Sequence, residues 1–462
     1  MGLAGSLRLE ELATEVAEGR IHTVVTAFPD LYGRLVGKRI HAPFFLGEVA
    51  RHGMHVCDYL LACDMEMDPT PGYEFTGWET GYGDMLAVPD LGTLRRLAWL
   101  PGTAAVLCDL LHEEGGGPVE VAPRRILARQ VERARHLGLE PQMGSELEFF
   151  LVREDYDEAR TRGYRGLRPT GRYIEDYHIL SGTFAEPVIG RIRREVDASG
   201  IPVEFSKGEW GPGQHEINLR YAPALEMADR HVLYKQAARE IAASEGASIT
   251  FMAKWREDLA GSSLHVHLSL CDGAGRSAFA GDRPLEPDGP GLASPTFLWF
   301  VGGLLAHLRE LSLLLAPNPN SYKRFREGTF APTRIAWSLD NRTAGLRVVG
   351  RGESLRVECR VPGADANPYL VYAALLAAGL EGLEREIAPP PPLRGDAYRR
   401  EDVPRVPRRL PEAIEAFAAS DLARRAFGDA VVRHLLHFAR SEQAVFDAAV
   451  TDVERGRYYE RV

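Results

Sequence analysis

Several short stretches of this chain set ionisable side chains at every second position. In Met143–Leu151, Glu146 and Glu148 alternate with Leu147, Phe149 and Leu151. In Leu264–Leu270, His265, His267 and Ser269 alternate with Leu264, Val266, Leu268 and Leu270. In Leu355–Val361, Arg356, Glu358 and Arg360 alternate with Leu355, Val357, Cys359 and Val361. Glu216-Ile217-Asn218-Leu219-Arg220 repeats the pattern, and Glu209 precedes Glu216 across Gly211-Pro212-Gly213. An extended strand sends successive side chains to opposite faces, so each stretch has one apolar face and one face of Glu, His or Arg. One such strand alone describes a sheet with a solvated face. As a set, these faces carry no lysine and little Ser or Thr. Glu and His hold divalent cations, and Arg clamps carboxylates and phosphates.

If the faces line one chamber, Glu146, Glu148, Glu209, Glu216 and Glu358 cannot all ionise there without counter-charge, because like charges push protons on. Bound divalent cations remove the conflict. Oxygen-rich donors with a single imidazole suit Mg²⁺ or Mn²⁺ better than Zn²⁺. Cations and guanidiniums together point to phosphoryl transfer involving an anionic substrate. The sequence has no P-loop, so a nucleotide would be held in another way.

The elements that must position these faces are legible around them. Leu7 to Glu18 reads as an amphipathic helix, and His22–Phe28 and Leu35–Ile40 as strands about a turn at Pro29–Gly33. Met65–Asp84 is polar, broken by Pro69, Pro71 and Gly72, and reads as a functional surface loop. Ala104–Leu110 is strand-like. His112–Pro118, with three consecutive glycines, reads as a linker that divides the chain into 1–115 and 116–462. Beyond it, Pro123–Leu137 and the Gly- and Pro-free Glu226–Glu245 read as helices. The proline run within Ala388–Pro392 reads as a loop. From Pro411 the chain is helical, with Val431, Leu435 and Phe438 at helix spacing.

Composition excludes some partners. The chain has 462 residues, enough for more than one domain, and a formal net charge of -10. Nucleic acid or an anionic membrane would require a basic surface instead. No apolar run is long enough to span a bilayer. Cys57, Cys63, Cys108, Cys271 and Cys359 are odd in number and form no CxxC, as expected of reduced thiols in the cytoplasm.

The ordered motifs resemble the glutamine synthetase family. Gly144-Ser145-Glu146-Leu147-Glu148-Phe149-Phe150 resembles its metal-binding strand, Gly211–Glu216 its PGQxE segment, and Leu264–Leu270 its HxHxSL strand. Asn320–Arg324, Asn341-Arg342, Arg347, Arg356–Arg360 and Ala366–Leu370 follow in register. The resemblance implies an α+β fold: a small β-grasp-like N-terminal domain, then a large catalytic domain with a curved antiparallel sheet and flanking helices. It implies two or three Mg²⁺ or Mn²⁺ ions per site. Glu148, Glu209 and Glu216 would hold one ion, and Glu146, His265 and Glu358 a second. Glu204, His267, Ser269 and Arg356 would bind ATP. Arg324 and Arg360 would clamp glutamate, with Gly261 beside its amine. Arg342 and Arg347 would stabilise the transferred phosphoryl group. It also implies a homo-oligomer, a dodecamer of two stacked hexamers, in which Asp64 serves the neighbouring subunit's site.

Three departures remodel the nucleophile's end. Where ammonia-using members carry a flap glutamate before Ala-Pro, this chain has Phe330, which cannot accept a proton. Glu327 stands three residues earlier. Ala260 replaces the Asn before the glutamate-site glycine, and Met65, Glu66 and Met67 follow Asp64 in place of small residues. The expected reaction is therefore γ-glutamyl amide formation from glutamate, ATP and a small amine, as in the γ-glutamylpolyamine and γ-glutamylethanolamide synthetases that the sequence also resembles. Phe330 would contact the amine's alkyl chain or remote charge. Ammonia ligation, a non-catalytic structural relative and a metal-dependent hydrolase are the rival readings.

Overall fold

A computed structural model describes residues 5–113, 116–286 and 291–462. Two of the linker residues, 114 and 115, lie outside the described residues, and with them the boundary placed between 115 and 116.

The first sheet lies before that point. It has five strands, in the order Leu35–His41, Thr23–Pro29, Thr103–His112, Asp84–Arg96 and Met54–Cys57. Thr23–Pro29 runs parallel to Thr103–His112, and the other pairings are antiparallel. Register shifts between Asp90 and Arg95 bend the long Asp84–Arg96 strand. Helix Leu9–Ala17 buries Leu12. Residues 65–84 form no long regular element.

The second sheet positions the ionisable faces. Its path is Trp337–Leu339, Leu346–Val349, Arg356–Cys359, Leu264–Asp272, Leu139–Val152, Gln214–Leu219 and Val203–Gly208, and Ala222–Pro223 and Ser248–Thr250 also pair with Leu139–Val152. The sheet is antiparallel except for one parallel pair, Trp337–Leu339 with Leu346–Val349. Helices back its apolar face. Ala224–Ser244 and Pro368–Glu384 are buried on nearly every side, as expected of a layer covered on both faces. Pro368–Glu384 opens with Pro at its first turn and an Asn367 cap whose side chain accepts from Tyr369 N–H. Helix Pro295–His307 crosses it at glycines: a Cβ on Gly303 would stand 2.2 Å from the Ala378 carbonyl.

The two sheets share one continuous hydrophobic core. Polar ties join them as well. Arg124, on helix Pro123–His136, pairs with Asp90 (2.5 Å) and Asp109 of the first sheet and with buried Asp229 (3.1 Å) behind the second. The Asn367 amide donates to the carbonyls of Asp30 and Leu31. The C-terminal helix Asp429–Ala448 sends the buried His434 to the Leu61 carbonyl, 2.9 Å away. No described helix is long and apolar enough to cross a membrane.

Candidate active site

Strand pairing brings the ionisable faces together. Glu146 stands opposite His265 on one side and Asn218 on the other. Glu148 stands opposite Glu216, and Glu216 opposite Lys207 on the edge strand. His267 and Arg347 both face Glu358. These faces are not solvated: Glu148, Glu216, His265 and Glu358 are buried, and Glu358 is fully so. They line a cavity of about 450 Å³, bordered by segments around 176, 210, 260 and 330.

Among the described residues, three sets each bring their donor atoms within 4.8 Å of one another: Glu148, Glu209 and Glu216; Glu146, Glu216 and His265; and Glu146, His267 and Glu358. The second and third sets share Glu146, and Glu216 links the first to the second. Two imidazoles take part where one was expected, because His267 Nε2 lies 2.8 Å from the Glu146 carboxylate. Alternation puts both histidines on the same face of their strand, and both flanking strands offer a carboxylate there.

Charge explains what these sets can hold. Burial, and then the charge of Glu209, pushes the Glu148 carboxyl up to about 7. The same two causes, joined by Glu146, raise Glu216 well above the ordinary carboxylate range. Burial would raise Glu358 too, but His265 and the Arg360 guanidinium hold it at about 2. The Arg360 guanidinium lies 2.5 Å from one Glu358 oxygen, and Arg347 lies 2.8 Å from the other. One flank of the cavity is thus compensated by arginine and the other carries excess negative charge. Divalent cations fit the uncompensated flank, in donor chemistry and in charge.

The remaining expected residues sort by position. Arg324, Arg360, Gly261, Phe330, Arg342 and Arg347 line the same cavity. Arg324 is buried, which brings its guanidinium down to about 10, and it donates to the carbonyls of Val361 and Pro362. Gly261 admits no side chain, since a Cβ would stand 2.4 Å from the Arg324 chain. Glu204, His267, Ser269 and Arg356 lie outside the lining. Arg356 reaches His267 Nδ1 at 3.1 Å, and Glu204 is exposed at a bulge of the edge strand. Asp64 is also outside it. Its carboxylate accepts the N–H groups of Glu66 (3.0 Å) and Asp68 (2.9 Å). Glu327 faces Arg405 at 3.5 Å, away from the lining.

Sequence reading missed several lining residues. Gln214 donates to Glu148, to the Gly261 carbonyl and to Ser262, tying a donor carboxylate to the glycine loop. Lys207 forms an ion pair with Glu209, so the assembled face does contain a lysine. The alternation Phe205, Lys207, Glu209 held that signal, although the strand was not singled out. Asp176 and Tyr177 come from an irregular segment with no periodicity to mark it.

Comparison with known proteins agrees with this geometry. The sequence pattern of the glutamine synthetase catalytic domain matches residues 120–458. Gamma-glutamylethanolamide synthetase GlnA4 of Streptomyces coelicolor is 51% identical over 456 residues, covering 99% of this chain and 96% of that protein. The glutamate–isopropylamine ligase of a Pseudomonas species is 36% identical over 448 residues, 96% of each chain. A solved GmaS/ADP complex superposes with a TM-score of 0.83 at 30% identity, over 97% of this chain and 99% of that one.

Proposed function

The chain belongs to the glutamine synthetase family, and from that premise we propose that it joins the γ-carboxyl of glutamate to a small primary amine at the expense of ATP. One observation carries the reading. Two of the cation-donor sets and four arginines lie wholly around one cavity, while the flap position that would need a carboxylate for ammonium carries Phe330. Two of the relatives are named as ligases of substituted amines.

In this reading Arg324 and Arg360 bind the carboxylates of glutamate, with the Gly261 backbone close to its amine. Arg342 and Arg347 offset charge on the phosphoryl oxygens as the γ-carboxylate attacks the γ-phosphorus of ATP and ADP leaves. Mg²⁺ or Mn²⁺, two or three ions held by Glu146, Glu148, Glu209, Glu216, His265 and Glu358, would neutralise phosphate oxygens. Glu204, His267, Ser269 and Arg356 would hold the nucleotide. The resulting γ-glutamyl phosphate is an acyl donor with a good leaving group. The amine, arriving unprotonated, attacks the carbonyl carbon through its nitrogen, the carbon–oxygen bond to phosphate breaks, and the departing phosphate takes up the proton that the nitrogen loses.

Asp64 stands apart from its own chain's cavity, which fits a role at the site of an adjoining copy in a ring assembly such as a double hexamer. All five cysteines are free, as suits the cytoplasm.

The test is product formation from ATP, glutamate and a panel of primary amines beside ammonia. Glutamate-dependent phosphate release, with γ-glutamyl amides formed faster than glutamine, is expected. Ammonia preferred over every amine would overturn the acceptor assignment. Absence of glutamate-dependent phosphate release would overturn the ligase assignment.

A further inference from the structure

Resting on the ligase reading above, we propose that Trp210 and Phe330 together form the wall that receives the acceptor's substituent. The substituent this wall admits is uncharged.

Trp210 directly follows the donor Glu209 and leads into the Gly211-Pro212-Gly213 turn, whereas Phe330 belongs to the flap. The fold closes these distant segments on one another. Their rings meet edge to face, with centroids 5.8 Å apart and planes at 73°. Both rings line the cavity, yet 51% of Trp210 and 46% of Phe330 is left exposed. Two large aromatic groups therefore present uncovered apolar surface beside the cation-donor sets, and a hydrocarbon substituent would cover it.

The backbone holds the Phe330 ring in place. Phe330 has φ of 59°, in the left-handed region that residues with a Cβ rarely adopt. Its carbonyl accepts from Arg360 at 3.4 Å, and the next carbonyl accepts from the Tyr398 hydroxyl at 3.2 Å. Both bonds hold the backbone that follows the ring.

The charges nearby decide what kind of substituent fits. Lys207 pairs with Glu209 and lies 4.6 Å from the centroid of Tyr177, so the chain's own ammonium occupies that aromatic face. Arg360 backs Phe330, and Glu327 is engaged by Arg405. A second ammonium at the far end of a diamine would find Glu209 already paired with Lys207 and Glu358 with Arg360. Among the described lining residues outside the donor sets, Asp176 is the carboxylate left to receive it.

The test uses the full chain with Mg²⁺, ATP and glutamate, and four acceptors: hydroxylamine, ethanolamine, propylamine and 1,4-diaminobutane. Hydroxylamine carries no carbon substituent and serves as the reference. The quantity read is kcat/KM for each amine divided by that for hydroxylamine. Trp210→Ala and Phe330→Ala should each lower the propylamine and ethanolamine ratios by about tenfold, the scale of one or two methylenes in a pocket. Trp210→Phe should retain most of the ratio. The double alanine variant should lose less than the product of the single losses, because the rings touch. Unchanged ratios in both alanine variants would overturn the proposal. So would a wild-type preference for 1,4-diaminobutane over propylamine and ethanolamine. If wild-type protein forms γ-glutamyl hydroxamate while the ratios ignore both rings, the wall fails and the ligase reading stands. No product from any acceptor overturns both.

Discussion

At the scale of single residues, the candidate site is a problem in charge balance. Glu358 is fully buried between two guanidiniums, and its carboxylate also falls within one of the candidate donor sets. Glu358→Gln keeps the volume but removes the charge. It should weaken Mn²⁺ binding by at least about 10–100-fold, the range seen when the surroundings of a metal are disturbed. Titration of the electron spin resonance of free Mn²⁺ reads this directly, and unchanged affinity would remove Glu358 from the donor set. At position 330, Phe330→Glu places a carboxylate on the flap. The ratio of glutamine to γ-glutamyl amide formed in mixed ammonia and amine should rise several-fold, and a falling ratio would contradict the assignment of that position to the acceptor.

At the scale of elements, alternation in strands does most of the positioning, and close helix packing fixes the sheet from behind. Helices Pro295–His307 and Pro368–Glu384 meet through Gly303 and Gly382, with no room for a Cβ. Gly303→Ala improves intrinsic helix propensity but inserts a methyl against the Ala378 carbonyl. Overpacking of this kind costs about 1–3 kcal/mol, so a loss of stability in urea titration is expected in spite of the better helix former. A gain would mean that the helices separate without penalty.

At the scale of the whole molecule, the two sheets are coupled by buried polar ties that can be tested singly. Arg124→Ala would leave Asp229 buried without its guanidinium, with the Tyr369 hydroxyl 2.6 Å away. Loss of one partner of a buried pair costs about 3–5 kcal/mol. Arg124→Met with Asp229→Asn should recover part of that loss. The C-terminal helix supplies a pH-dependent tie. Burial lowers His434 to about 4, while it donates to the Leu61 carbonyl. In the unfolded chain the imidazole titrates near about 6.5. Above that value it is neutral in both states, and its contribution is complete. Between 6.5 and 4 the unfolded chain binds a proton that the folded one refuses, so stability falls as pH falls. Wild-type Tm should drop more steeply from pH 7 to pH 5 than that of His434→Gln, and parallel slopes would exclude His434 as a source.

The sequence by itself determined the residue types, their alternation and the family, because a period of two is a local property of an extended chain. Glu146, Glu148, His265 and Glu358 could be placed on one kind of face before any pairing was known. Pairing partners are set by register between distant segments, and only the tertiary structure decided them. It moved His267 beside Glu146, brought Lys207 opposite Glu216, and closed Trp210 on Phe330. Tyr177 and Asp176 left no trace in periodicity because they arrive on irregular backbone, whose course is fixed by what it packs against rather than by its own pattern.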